Sequence, residues 1–432
     1  MKKIIVAGAG HGGISAALNL AKAGYDVTVY EKKARNELGY DWVDCMLKCT
    51  FENTGFPRPD ESCFGPMADQ AYFNPNKTVK IVVKDGGKNI LGYIERKYLI
   101  NWIIDFTEEN GVKFVFETPV VSALYDSEKV TGIRISENGV DKDIFGDMII
   151  DAAGIDSPVR RSLPVEFGVR NEAYEDEVFC TWRGSFRKTR EFTAEPKNTI
   201  YFYHCGLRGM DWAINDEDSI DILIGGFGKL TDGDVAIALE DFKKDYPIED
   251  KPCRGGYGDK IPLGRYLEVM VCNNYAAVGN SAFMTDPLSG SGIDASMECG
   301  QLLAEIIIEA DGDYSVEKLW KYNYRVVKEH AECHYSNIIV KDFLSVLTRE
   351  DMDFFFEHKI LTEKEIGGGA NAGYTVKDII QKASVISRVH LAPAIPGILK
   401  KVLAFEKMKT AIPEGYNKTA VENWKKVFEQ SR

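Results

Sequence analysis

The chain has 432 residues, 44% of them hydrophobic, with 53 basic side chains against 66 acidic ones and a formal net charge of −13. At about 100–200 residues per domain this provides two or three structural units and an interior large enough for a sizeable cofactor. The acidic balance argues against a nucleic-acid binder, which needs clustered Lys and Arg. No run approaches the ~20 apolar residues of a membrane-spanning helix, which leaves only peripheral membrane contact open. The apolar start Ile4-Ile5-Val6 breaks into glycines at once, unlike a signal peptide. Nine cysteines scattered along the chain form neither a disulfide scaffold nor a paired zinc motif, and a cytoplasmic location is expected.

Residues 3–7 read as a short buried strand, followed by Gly8-Ala9-Gly10-His11-Gly12-Gly13, an apolar helix over Ile14–Ala23 and a second strand over Tyr25–Glu31. Gly8 permits the tight turn, Gly10 lets backbone approach a pyrophosphate, and Gly13 lets helix and strand pack closely. The helix start offers unpaired N–H groups and a positive dipole end to phosphate. Glu31 is placed to accept hydrogen bonds from a ribose hydroxyl, and an acid there selects FAD or NAD over NADP. His11 borders the phosphates.

Residues 34–75 form a long irregular excursion of the kind that lines a site. Strands are predicted at 79–83 and 90–94, a helix at about 97–109, a strand at 113–117 and strand pairs through Ile150. Residues 165–255 read as β-structure, with strands at 179–186, 199–204, 210–214 and 220–227. Helices are predicted at 292–310, 316–347 and 349–359 and onward to the end.

Two further turns carry the cofactor signal. A buried strand runs through Ile149-Ile150-Asp151 into Gly154, Asp156, Ser157 and Arg160. Later, Ala276-Ala277-Val278-Gly279-Asn280-Ser281-Ala282 leads into Asp286-Pro287-Leu288-Ser289-Gly290-Ser291-Gly292-Ile293 and a helix. A second Gly-rich strand-to-helix turn so far from the first suits one long ligand gripped at both ends, which favours FAD over NAD.

These turns, together with Gly255-Gly256, Ile261-Pro262-Leu263-Gly264, Glu37-Leu38-Gly39 with Cys45, and Asp211-Trp212-Ala213-Ile214, resemble the p-hydroxybenzoate hydroxylase-like flavoproteins. Within that class the sequence is most similar to the geranylgeranyl reductases, over roughly residues 1–310. The resemblance implies an α/β fold: a three-layer Rossmann-like FAD-binding domain, an interposed, mainly antiparallel β-sheet substrate domain and a helical C-terminal region. The expected boundaries are 1–164 for the first part of the FAD domain, with 34–95 contributing to the substrate pocket. Residues 165–255 are then the substrate domain, 256–310 the second part of the FAD domain and 311–432 the helical region. The resemblance further implies that Gly8, Gly10, Gly13 and Glu31 hold the ADP half and that Arg96 and Val121 lie near the pyrophosphate and adenine. Gly154 and Asn280 belong to the later cofactor turns, with Asn280 facing the ribityl chain. Pro287, Gly290, Gly292 and Ile293 wrap the isoalloxazine. Asn280 stands where the family has Asp, Met210 where it has Tyr, and Asn215 where it has Pro.

A flavin carries the redox chemistry, and protein supplies position, electrostatics and water exclusion. The expected activity is reduction of a C=C bond in a small hydrophobic, isoprenoid or lipid-like substrate, with NADH or NADPH as electron donor. The alternatives are a flavin monooxygenase (hydroxylase, epoxidase or halogenase-like) and a flavin-binding redox sensor without turnover. Cys45 is the candidate proton donor or gate against a buried structural role, Trp212 lines the pocket, and His204, read on a strand beside Cys205, faces the substrate. His330, Cys333 and His334 have helical chelating spacing, but no further ligand completes them, so no metal is expected. The apolar stretch 390–405, with its Lys pair, either packs on the body or rests on a membrane surface.

Overall fold

The computed structural model describes residues 2–84, 90–367, 391 and 394–430. Strand β1 (Lys3–Ala7) leads through the glycine turn into helix α1 (His11–Lys22), and β2 (Asp26–Tyr30) returns parallel to β1. The helix starts before Ile14 because Ile14 already donates its N–H to the Gly10 carbonyl, so the end of the glycine motif is the first helical turn. The expected irregular excursion holds ordered pieces: β3 (Val43–Leu47), α2 (Thr50–Asn53) and β4 (Gln70–Phe73). Next come β5 (Lys80–Val83), β6 (Leu91–Glu95), α3 (Arg96–Glu109), β7 (Lys113–Val115), β8 (Val120–Tyr125), β9 (Val130–Glu137), β10 (Val140–Phe145), β11 (Met148–Asp151) and α4 (Pro158–Arg161). The middle of the chain forms β12 (Val178–Arg187), β13 (Asn198–Phe202), β14 (Met210–Asn215), β15 (Ser219–Phe227), α5 (Asp232–Asp245) and β16 (Arg254–Pro262). Then β17 (Val271–Cys272), β18 (Tyr275–Ala277) and α6 (Ile293–Glu309) complete the part that builds the site.

The nucleotide-binding sheet has the order β17-β18-β11-β1-β2-β7, parallel except for the β17–β18 pair. Its central strands are apolar on both faces, as a sheet covered on both sides requires. Strand β18, far along the chain, pairs with β11, so the late cofactor turn emerges at the same sheet end as the glycine turn after β1.

The second large sheet has the order β16-β12-β15-β14-β13-β4-β5 and is antiparallel apart from β13–β4. Strands β4 and β5 of the excursion extend it, and β3 pairs with β6 in a two-stranded ribbon beside it. Within the β-rich stretch 165–255 the structure adds helix α5, which the sequence reading did not place. Its capping box at Thr231 and Asp234 and its buried Val235, Ala238 and Phe242 lay it across one face of the sheet. The strand expected over 199–204 ends at Phe202, because Tyr203 and Cys205 take left-handed φ values of 51° and 52° and turn the chain.

The C-terminal helices Val316–Arg325 and Ala331–Ser345, joined by a π-turn at Val326–His330, pack against Ala394–Ala411 and Lys418–Gln430. Trp320 meets Trp424 edge-on at 6.0 Å and donates its indole N–H to the Pro413 carbonyl at 2.7 Å. Of the stretch 390–405, residues 390, 392 and 393 lie outside the described residues. Its helix docks on the body through Phe405, whose ring lies 4.4 Å from that of Tyr335, and through Ala404.

Candidate functional site

The glycine turn is built by close approach of two chain segments. Gly8 has φ +90°, and a Cβ on it would sit 2.7 Å from the Ala152 carbonyl oxygen. A Cβ on Gly10 would sit 2.9 Å from that oxygen, and one on Gly13 2.6 Å from the Ala152 side chain. The glycines therefore seat the turn of β1 on the turn after β11, besides leaving the α1 start open. Helix α1 begins at Gly10 with no side-chain cap, so its first N–H groups face outward. Glu31, at the end of β2, accepts the Ala9 N–H at 2.8 Å and the Lys33 N–H at 2.9 Å. Its carboxylate thereby shapes the turn and keeps lone pairs for a further donor.

His11 lies in this turn. Burial, aided by the Arg96 cation, holds its imidazole well below the usual histidine range, and its Nε2 is buried without a protein partner among the described residues. Arg96, first residue of α3, is thus brought to the turn. It donates to Asp44 at 2.9 Å, lies 5.2 Å over the Tyr40 ring and keeps a buried Nε with no partner among the described residues. Val121 stands 43% exposed on β8, while Thr118 just before that strand donates its N–H to the Glu31 carbonyl at 2.8 Å.

The later cofactor turns meet through a buried carboxylate. Asp151, ending β11, accepts from Ser157 Oγ at 2.6 Å and from Tyr275 OH and Ser281 Oγ at 2.9 Å each. Ser281 Oγ in turn accepts the Gly154 N–H at 2.9 Å, and Arg160 donates to the Ser281 carbonyl at 2.6 Å. Gly154, at φ +89°, has open space where a Cβ would lie, as a ligand approaching its backbone requires. Asn280 accepts the Thr285 hydroxyl at 2.9 Å. Asp286 closes the next turn by accepting from the Leu288 and Ser289 amides at 3.1 and 2.8 Å and from Asn337 at 2.5 Å. Pro287 is buried in that turn, Gly290 has φ +71° with only Ile261 at 4.0 Å from a built Cβ, and Gly292 starts α6 without a side-chain cap. Ile293 is buried as the first helical residue.

Helices α1 and α6 cross closely near their starts. A Cβ on Gly300 would fall 2.1 Å from the Gly12 carbonyl oxygen, and Ser15 donates to the Met297 carbonyl at 2.7 Å. Two uncapped helix starts, three left-handed glycines and orphaned polar atoms on His11 and Arg96 line one end of the sheet. This donor set fits a dinucleotide.

The excursion is pinned to the start of α6 by Asp294, a residue the sequence reading did not single out. Its carboxyl accepts the Leu47 N–H at 3.1 Å and the Thr50 hydroxyl at 2.6 Å, and burial pushes it up to about 6 against those two bonds. Strand β3 thereby brings Cys45 two residues from this anchor. The half-buried Cys45 thiol lies 3.5 Å from Met67 Sδ and pairs across the ribbon with Tyr93. Burial, with the neighbouring Cys45, pushes the Tyr93 phenol up to about 12, and its oxygen accepts from Asn198 at 3.0 Å.

Between the ribbon and the large sheet lies Arg183, fully buried. Its guanidinium donates to Asp221 at 2.8 Å, Asp44 at 3.1 Å and the Val43 carbonyl at 2.8 Å, between the rings of Trp42 and Trp212 at 5.1 and 5.3 Å. Trp212 thus faces the ribbon, with its indole N–H buried and without a partner among the described residues. Sequence inspection missed Arg183 because only the strand pairing of β12 brings it under both tryptophans.

His204 lies elsewhere, and its expected place on a strand is corrected. It sits in a turn on the α5 face, its ring 4.7 Å from Phe242, with Nδ1 2.7 Å from Asp211 and Nε2 2.9 Å from Asp241. Asp211 and Trp212 are successive residues of β14, so their side chains take opposite faces of the sheet. His330 and His334 do not converge: His330 lies 3.7 Å from Glu298, and His334 bonds the Gly264 carbonyl at 2.8 Å. The Cys333 side chain is outside the described residues.

The sequence profile of the Pyridine nucleotide-disulphide oxidoreductase family matches residues 2–177. Over 427 residues the chain is 22% identical to the digeranylgeranylglycerophospholipid reductase of Sulfolobus acidocaldarius, covering 96% of this chain and 92% of that one. A geranylgeranyl bacteriochlorophyll reductase-like structure from Thermoplasma acidophilum superposes with a TM-score of 0.74 at 19% identity, covering 94% of this chain and 99% of that one. A myxobacterial chondrochloren halogenase, FAD-dependent, follows with a TM-score of 0.60 at 18% identity, covering 88% and 94%. The chain has the Rossmann-like FAD-binding fold of these flavoproteins, and the resemblance read from its glycine turns extends over nearly its whole length.

Proposed function

We propose that this chain, an FAD-dependent oxidoreductase, reduces a carbon–carbon double bond of a hydrophobic, isoprenoid-like substrate. The observation that carries this reading is the likeness, along 96% of the chain, to a relative named a reductase of a digeranylgeranyl lipid. Reduced FAD, when bound, supplies the hydride for such a reaction. The uncapped starts of α1 and α6, Glu31 and Asn280 bind and orient the cofactor. Trp212, Trp42 and the ribbon exclude water from the apolar substrate. Cys45 Sγ holds the proton that the second carbon of the double bond requires, and Tyr93 backs it across the strand pair.

One observation supports the apolar, membrane-derived character of the substrate. Leu399 and Leu403, one turn apart on the helix Ala394–Ala411, are 45% and 71% exposed and offer a surface for peripheral lipid contact from the cytoplasmic side. Lys401, on the same helix, is held to Asp342 at 2.6 Å.

Anaerobic turnover tests the proposal. Protein reduced with NADH, NADPH or dithionite and given geranylgeranylated lipid should yield product heavier by two hydrogens per reduced bond. Cys45→Ser should slow that step at least about tenfold without changing the rate of flavin reduction, as loss of a proton donor predicts. Product formed only with oxygen and carrying hydroxyl, epoxide or halogen overturns the reading in favour of a monooxygenase. Flavin reduction with no turnover of any lipid would point to a sensor.

A further inference from the structure

We propose that the turn after β13 and helix α5 form a binding site for a thiophilic divalent cation of the zinc class, ligated by His204 Nε2, Cys205 Sγ and a carboxylate oxygen of Asp241. These three donor atoms lie within 4.8 Å of one another. His204 Nε2 is 2.9 Å from Asp241 Oδ2 and 3.6 Å from Cys205 Sγ. Tetrahedral coordination with Zn–N of about 2.0 Å and Zn–S of about 2.3 Å requires a nitrogen–sulfur separation of about 3.6 Å and a nitrogen–oxygen separation of about 3.3 Å. The nitrogen–sulfur separation already matches, and the nitrogen–oxygen pair needs a few tenths of an ångström of adjustment.

The surroundings have the form of a metal site behind as well as in front of the histidine. Asp211, buried on β14 and held by the Gly225 N–H at 3.0 Å, binds His204 Nδ1 at 2.7 Å. That contact fixes the ring and its tautomer with Nε2 turned toward Cys205 and Asp241, as a carboxylate behind a metal-bound histidine does. The left-handed φ values at Tyr203 and Cys205 swing the thiol of one residue onto the imidazole of the residue before it. Cys205 is exposed, which leaves a path for the ion and for a water in the fourth position.

The ion takes the place of the Cys205 thiol proton and binds the Nε2 lone pair that the contact with Asp211 leaves free. Lys77, 2.6 Å from both Asp241 and Asp245, keeps Asp245, and Lys244 keeps Asp241 Oδ1 at 2.9 Å. Such an ion ties the turn to α5 behind β14, on the face opposite Trp212.

Cobalt(II) titrated into the FAD-loaded protein tests the site. The expected result is one equivalent bound per chain, with thiolate-to-cobalt charge transfer in the difference spectrum and four-coordinate d–d bands at wavelengths beyond flavin absorption. Cys205→Ser, at an exposed position, should abolish the charge transfer and weaken binding at least about tenfold, and Asp241→Asn should weaken it with the thiolate signal retained. Flavin content and the unfolding transition verify that both variants fold. Cobalt bound equally by wild type and Cys205→Ser, or not bound at micromolar concentration by the folded wild type, overturns the proposal.

Discussion

Asp294 holds the excursion on α6, and it does so in surroundings that disfavour its ionised form. Replacing it with Asn keeps an oxygen to accept the Leu47 N–H and the Thr50 hydroxyl but removes the charge. Burial raises the carboxyl from 3.8 to about 6. A shift of about two units corresponds to ~3 kcal/mol at about 1.4 kcal/mol per unit. An acid that is weaker in the folded state favours folding while protonated. The wild type therefore loses stability as pH rises from the unfolded value of 3.8 toward about 6, and the loss is complete above that window. Asp294→Asn does not titrate, so its advantage over wild type grows by roughly 1–2 kcal/mol between about pH 5 and about pH 8. Urea unfolding of flavin-stripped wild type and variant across that range measures the difference directly. A stability gap between the two that stays constant with pH, or that closes as pH rises, refutes the assignment of the shift to burial.

Gly300→Ala should force α1 and α6 apart, because its Cβ would lie 2.1 Å from the Gly12 carbonyl oxygen; a loss of about 1–3 kcal/mol in thermal unfolding and a lowered flavin content on purification are expected. Arg183→Met leaves Asp221 and Asp44 without their shared cation and should destabilise the protein by about 3–5 kcal/mol in urea. Adding Asp221→Leu to that variant should restore part of the loss, and no recovery would place the damage in the tryptophan contacts instead. Glu31→Ala removes the acceptor for the Ala9 N–H and should weaken FAD binding by roughly tenfold or more, read from flavin fluorescence during titration.

The nucleotide-binding sheet was legible because its signals are local. Apolar strands, a glycine at φ +90° and an acid at the end of the next strand lie within one stretch of about thirty residues. The late turn at Asn280–Ile293 was legible for the same reason. Helix α5 carried a capping box that could have been read, but its apolar positions are few and Gly233 sits in its first turn. The long-range partners were not legible. Asp294 meets Leu47 and Thr50, Arg183 meets Asp44 and both tryptophans, and His204 meets Asp241. Each contact joins segments far apart in the chain, which no local pattern encodes. His204 was misplaced because the β-rich sequence from Thr199 onward gives no sign of the left-handed residues that end its strand.

The same long-range contacts surround the positions at which the sequence differs from the geranylgeranyl reductase pattern it resembles. The end of β11 and the start of α6 are tied by side chains that need no flavin: Asp151 gathers Ser157, Tyr275 and Ser281, and Asp294 gathers β3 and α2. With the backbone of both turns fixed in this way, position 280 is relieved of a structural role beyond its bond from Thr285. That bond engages Oδ1 and leaves the Asn280 amide N–H groups to donate, where an aspartate would have offered a second acceptor. In the proposed reading, Asn280 thereby offers a ribityl hydroxyl a donor in place of an acceptor while the turn is preserved, because hydroxyls both donate and accept. Met210 and Asn215 sit at the two ends of β14, whose middle is held by the Asp211–His204 contact on one face and by Trp212 over Arg183 on the other. In the proposed reading, changes at those ends alter what a substrate meets along the strand without releasing the strand itself.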